Sequence, residues 1–162
     1  MHNYPNYPLT GGIDDIRLAG SSQSHSGRVE VKHTGIWGSI CDDGWDHRES
    51  TVICRQLGYQ TGYAIGPDYF TAGRTSTYSP GTGEIWLAGV QCSGTEGRFD
   101  ECEFQYGWGE TGECDHEEDA LVFCQGLIQG KCLPPTPPPT PPRTNEQCDL
   151  RPYVSRYMVN VS

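Results

Sequence analysis

Asp42 and Asp43 stand side by side directly after Cys41, in the stretch ICDDGWDHRES. Two carboxylates this close disfavour each other's ionisation unless a positive charge lies between them. A second acidic stretch, CDHEEDALVFC, starts at Cys114 and carries Glu117, Glu118 and Asp119. From Glu96 to Asp119 the chain holds ten acids and one base, Arg98. A field of that sign attracts cations. Hard oxygen ligands on a flexible loop suit Ca2+, which accepts about six to eight of them; Mg2+ demands tighter geometry and matches less well. Successive strand residues point to opposite faces, so both aspartates can face one ion only where the strand ends. Gly44 supplies that break. The competing reading is of solvated acids, with Asp42 and Asp43 capping the following turn and Asp119 paired with an arginine. His116 reads as a packing or hydrogen-bonding residue, and Trp37, Trp45, Trp86 and Trp108 as core or rim aromatics.

Other chemistries find little support. The net charge of −10 over 162 residues makes nucleic acid and anionic membrane poor partners for the whole chain. Neither G-x-S-x-G nor H-E-x-x-H occurs, so no hydrolase signature is present. Eight cysteines lie at wide, irregular spacings, no two of them separated by two residues. That pattern reads as disulfides formed in an oxidising compartment rather than as a zinc site, and it leaves no obvious thiol nucleophile. No run of 18 apolar residues offers a membrane span. Met1 is followed by HNYPNYPLTGG, which has no apolar signal core; a disulfide protein of this kind reads as part of something longer, or as one that has lost its leader. Asn160-Val161-Ser162 is the one glycosylation sequon, in weak agreement with secretion.

The elements that must position these residues are partly visible. Residues 1–12 read as a leader or linker. In GRVEVKHTGIWGSI, Val29 and Val31 alternate with Arg28, Glu30 and Lys32, the pattern of a strand. Thr34-Gly35 reads as a two-residue hairpin turn, with Ile36 to Ile40 as the return strand. Asp46 and Glu49 form a capping-box pair that opens a helix, and Val52, Ile53, Gln56 and Leu57 make its buried stripe. Ile85-Trp86-Leu87 and Ala120 to Cys124 read as short strands. Residues 127–162 contain PPTPPPTPP and two more cysteines. The proline run predicts an extended rod of roughly 28 Å and a candidate O-glycosylated stalk leading toward a further module. A Cys132–Cys148 bridge requires that rod to bend, because residues 143–147 reach only about 20 Å.

GRVEVKHTGIWGSICDDGWD, VICRQLGY, GTGEIWLAGVQCSGTE, ECEFQYGWG and CDHEEDALVFC together resemble the scavenger receptor cysteine-rich domain, in order and in spacing, from about Ile16 to Cys124. The six cysteines of this stretch are similar to the family's group A. The resemblance implies an α+β domain over 13–126: a small, disulfide-stapled fold with a curved antiparallel sheet packed on one main helix and long loops. Of the three bridges it implies, Cys41–Cys114, Cys54–Cys124 and Cys92–Cys102, the first closes a long loop and stabilises by about 4 kcal/mol, and the last a short loop by about 3 kcal/mol. The first bridge would bring CDDGWD beside CDHEED. The resemblance likewise assigns Asp42, Asp43 and Glu118 as cation ligands. Relatives often carry an acid and an asparagine where this chain has Ala88 and Gly89, so a second cation site is not expected to be complete; Glu113 is the candidate to compensate.

The expected function is therefore non-enzymatic: extracellular recognition of a protein, glycan or microbial polyanion, bridged by Ca2+, in a secreted protein or the ectodomain of a membrane protein. Between Ile13 and Gly126 seven bases face 19 acids, so a basic-patch mechanism requires Arg17, Arg28, Lys32 and Arg48 to cluster. Two alternatives are an accessory domain of a larger secreted protease or amine oxidase, and a structural spacer of a mucin-like or matrix protein.

Overall fold

A computed structural model describes residues 12–66 and 78–128. The chain divides into two compact units, Met1–Ile128 and Gln129–Ser162. The proline run, Cys132, Cys148, Asn160 and nearly all of the expected leader lie outside the described residues.

Among the described residues, eight strands, one α-helix and two short 3-10 turns follow one another: β1 (Asp15–Ala19), β2 (Ser26–His33), β3 (Ile36–Ile40), α1 (His47–Gln56), β4 (Tyr59–Ile65), β5 (Glu84–Leu87), β6 (Val90–Gln91), a turn at Phe99–Glu101, β7 (Glu103–Phe104), a turn at His116–Glu118, and β8 (Leu121–Leu127). The main sheet runs β4-β8-β2-β3-β5, with β1 also on β2; β6 and β7 pair separately. All of its pairings are antiparallel except β3 with β5, which is parallel. The sheet is thus mostly antiparallel, with a crossover through α1 and β4 setting the one parallel pair.

The hairpin between β2 and β3 turns at Thr34 and Gly35, both at positive φ (49° and 83°), the arrangement whose twist matches the flanking strands. Helix α1 starts at Asp46, which caps Arg48 N, while Glu49 reaches back to the Asp46 backbone. The helix packs on β4 and β8, and Cys54–Cys124 ties it to β8 between two buried cysteines, 0% and 2% exposed. Its buried face lies further toward the N-terminus than the apolar stripe suggests. Glu49, Ser50 and Thr51 are buried with Val52, Ile53 and Cys54, whereas Gln56 and Leu57 are half-buried.

Glu49 explains that shift. It is 1% exposed, and its two carboxylate oxygens accept from Asp46 N and Cys92 N, each at 2.8 Å. The carboxylate joins the helix start to β6 and satisfies two backbone donors that would otherwise be orphaned.

The polar side of β2 is buried as well. Arg28 and Glu30 are 6% and 7% exposed because they form a chain of alternating charge. Arg17 meets Glu30 at 2.6 Å, Arg28 meets Glu30 at 2.5 Å, and Arg28 Nε lies 3.7 Å from Asp119. Burial alone would raise the Glu30 carboxyl, but hydrogen bonds from Arg28 and Arg17 outweigh it and hold it below its usual range. All four tryptophans are half-buried. His33 stacks on Trp108 at 3.7 Å between ring centres and meets Trp86 edge-on.

Glu49→Ala strands two backbone N–H groups and opens a void; it is expected to cost about 2–4 kcal/mol. Urea unfolding of this variant beside Arg98→Ala, an exposed control expected to change by less than about 0.5 kcal/mol, checks the assignment.

Candidate cation site

The ends of β3 and β8 meet just beyond the sheet. Cys41 and Asp119 form an antiparallel bridge. Ala120 N donates to Ile40 O and Asp42 N donates to Glu118 O, both at 2.7 Å. The loop then folds back: Trp45 N donates to Asp42 O at 2.8 Å, with Gly44 at φ 77°, a conformation that favours glycine. Ser50 holds the far side of this turn, its hydroxyl accepting from Trp45 Nε1 at 3.0 Å and donating to Asp46 O at 2.7 Å.

Cys41–Cys114 closes the same junction, with 6.2 Å between Cα atoms; Cys92–Cys102 closes the neighbouring loop at 4.7 Å. Backbone pairing and disulfide together bring Asp42 and Asp43 toward Glu118.

The electrostatics record that approach. Burial pushes the Asp42 carboxyl up to about 6, and the negative charges of Glu118, Asp43 and Asp119 add to the rise. Among the described residues no ion pair reaches Asp42, Asp43 or Glu118. Asp119 differs. Its side chain is fully buried and committed: it accepts from Gly81 N at 2.7 Å, lies 3.1 Å from His116 Nδ1 and faces Arg28. His116 Nε2 lies 3.0 Å from Gly83 O, so this ring serves the loop at 81–83.

The donor set of Asp42, Asp43 and Glu118 is hard, anionic and, among the described residues, without a side-chain counter-charge, which fits a divalent ion with oxygen preference. The three carboxylates are not drawn to within 4.8 Å of one another; Asp43 instead comes that close to the sulfurs of Cys41 and Cys114, and bridged sulfurs lack the thiolate charge a metal takes. Glu118 Oε2 accepts from Asp115 N at 3.3 Å, so rotating it toward an ion exchanges one weak hydrogen bond for coordination. Glu113 is exposed and is not among the charges acting on Asp42. Ala88 is 3% exposed, and Gly89 has φ 61° with Gln105 and Tyr106 against the place of a Cβ. These two positions are packing positions.

Sequence reasoning missed the contributions of Glu49 and Arg28 to this region. The capping-box spacing of Asp46 and Glu49 was a usable signal for the first; the second needed the strand partners.

An acid whose carboxyl is raised on folding binds its proton more tightly in the folded chain. Its stabilisation is present below about pH 4 and is lost as pH rises through about 6. With a chelator present, Asp42→Asn is therefore expected to stabilise the domain at pH 7.5, by on the order of 1 kcal/mol after solvent screening of a half-exposed group. The gain should vanish near pH 4. Denaturant unfolding of both proteins at the two pH values reads the difference.

Known proteins share this sequence pattern and fold. The profile of the scavenger receptor cysteine-rich domain matches residues 19–125. The human CD5 antigen-like protein is 43% identical over 112 residues, which are 69% of this chain and 30% of that protein. The chain thus spans less than a third of that relative's length. The third SRCR domain of murine neurotrypsin superposes with a TM-score of 0.58 at 39% identity, over 72% of this chain and all of that domain. The SRCR domain of mouse MARCO, solved in a dimeric form, gives 0.52 at 40% identity, over 68% of this chain and 94% of its own. With its fold, its three bridges and this sequence match in agreement, the chain belongs to the scavenger receptor cysteine-rich family.

Proposed function

We propose that this domain is a non-catalytic extracellular binding module that captures its ligand through Ca2+ held by Asp42, Asp43 and Glu118. The observation that carries the proposal is the Asp42 carboxyl, pushed up to about 6 by burial first and then by the negative charges of Glu118 and Asp43, with no ion pair to any of the three among the described residues. A bound divalent ion removes that repulsion. Three protein carboxylates leave coordination positions for a ligand's carboxylate, sulfate or phosphate, so the ligand class is an acidic protein, glycan or microbial surface polymer. The three disulfides suit an oxidising, extracellular setting.

The basic-patch alternative is weakened by where the bases lie. Arg28 is buried against Glu30 and Asp119. Arg17 is held by Glu30, and its guanidinium sits 4.1 Å from the centre of the Trp37 ring, which Lys32 approaches at 5.8 Å. Arg48 binds Asp46. A polyanion would have to break existing pairs to use most of these charges.

Stabilisation by the ion is modest. At roughly 1 mM Ca2+ and a dissociation constant of about 10⁻⁴ to 10⁻³ M, linkage gives about 0.4 to 1.4 kcal/mol. The ion's larger effect is on ligand capture. Calorimetry should show Ca2+ uptake by the wild-type chain, at least tenfold weaker in Asp42→Ala, and a glycan and protein array should lose its signal on addition of chelator. Equal uptake by the variant, or chelator-insensitive capture, would refute the proposal.

A further inference from the structure

The three bridges differ in access. Cys54 and Cys124 are 0% and 2% exposed, and Cys92 and Cys102 are 5% and 6%. Cys41 is likewise buried at 1%, but its partner Cys114 is half-buried, between the exposed Glu113 and Asp115. Among the described cysteines, only Cys114 escapes burial.

The bridges differ equally in what the fold asks of them. Cys54–Cys124 lies inside the helix–sheet core. The segments joined by Cys41–Cys114 are also held without it, by the Cys41–Asp119 bridge and by the hydrogen bonds from Ala120 N to Ile40 O and from Asp42 N to Glu118 O. Cys114 itself sits in a turn whose one backbone bond, from Cys114 N to Thr111 O, is 3.3 Å long.

We infer that Cys41–Cys114 is a thiol-exchange site, at which a thiol from outside couples covalently to Cys114. In the reaction the incoming thiolate attacks Cys114 Sγ, the sulfur of the half-buried partner. A new S–S bond forms to Cys114, the Cys41–Cys114 bond breaks, and Cys41 leaves as a thiolate that takes a proton from water. One sulfur of the incoming thiol is oxidised and Cys41 is reduced. The domain keeps its fold, because the junction at Cys41 and Asp119 persists.

The surroundings select the thiol. The Asp43 carboxylate lies within 4.8 Å of both sulfurs, and the chain neighbours of Cys114, Glu113 and Asp115, are exposed acids. An anionic thiol meets repulsion there; a thiol carrying a positive charge is drawn in. The ligand class is thus a cationic small thiol or a cysteine set among basic residues of a partner.

The full chain, in chelator, is incubated with cysteamine or with glutathione, quenched by alkylation and peptide-mapped, while near-UV circular dichroism follows the fold. Cysteamine should appear on Cys114 before any other half-cystine of the domain, with dichroism unchanged. It should react on the order of tenfold faster than glutathione at low salt, and Asp43→Asn should narrow that ratio. First adducts on Cys92, Cys102, Cys54 or Cys124, or adducts that form only as the dichroism collapses, overturn the inference; so does glutathione reacting as fast as cysteamine.

Discussion

Two backbone hydrogen bonds hold the candidate site together: Ala120 N to Ile40 O and Asp42 N to Glu118 O, each 2.7 Å. They join the last residues of β3 to the residues that lead into β8, across a gap of more than 70 positions in sequence. Everything of chemical interest hangs from this junction. Asp42 and Asp43 leave it on one side, Glu118 and Asp119 on the other, and the Cys41–Cys114 bridge lies beside it. Buried backbone groups must find partners, so once β2 pairs with both β3 and β8, this meeting of their ends satisfies groups that would otherwise be left over.

The acids around the junction fall into two kinds. Glu30 and Asp119 are buried with arginine or histidine partners, and Glu49 is buried against two backbone donors. These are the ways a protein interior tolerates a carboxylate. Among the described residues, Asp42, Asp43 and Glu118 lie at the surface end of the same region without an ion pair. Proteins tend to leave electrostatic conflict unresolved where a ligand resolves it. The contrast, more than the number of acids, is what makes these three residues the candidate site.

Much of this was legible in the residues. The Thr34-Gly35 turn, the strand from Ile36 to Ile40 and the cap at Asp46 follow from local backbone chemistry, and each stands where its sequence signal lies. The strands β1 and β4 carry weaker signals. DIRLA mixes charge and apolar residues, and YQTGYAI contains Gly62, which lies close against the helix. The burial of Arg28 and Glu30 was not legible either, because it depends on Arg17 and Asp119, which only tertiary pairing supplies. For the candidate site, the acidic stretches and the family pattern pointed to Asp42, Asp43 and Glu118, and the fold sets the charge of Glu118 against Asp42. They attributed its assembly to the disulfide, whereas backbone pairing shares that task. They also could not show that Glu113 stands apart from Asp42.

Under the proposed function, Asp42, Asp43 and Glu118 close on one divalent ion. Crystals of the chain grown with Mn2+ as a substitute of similar oxygen preference test it most directly, through an anomalous difference map. A single strong peak coordinated by those three carboxylates is the predicted result. A map with no peak there, or with its peak at Glu96 beside the Cys92–Cys102 loop, would contradict the account.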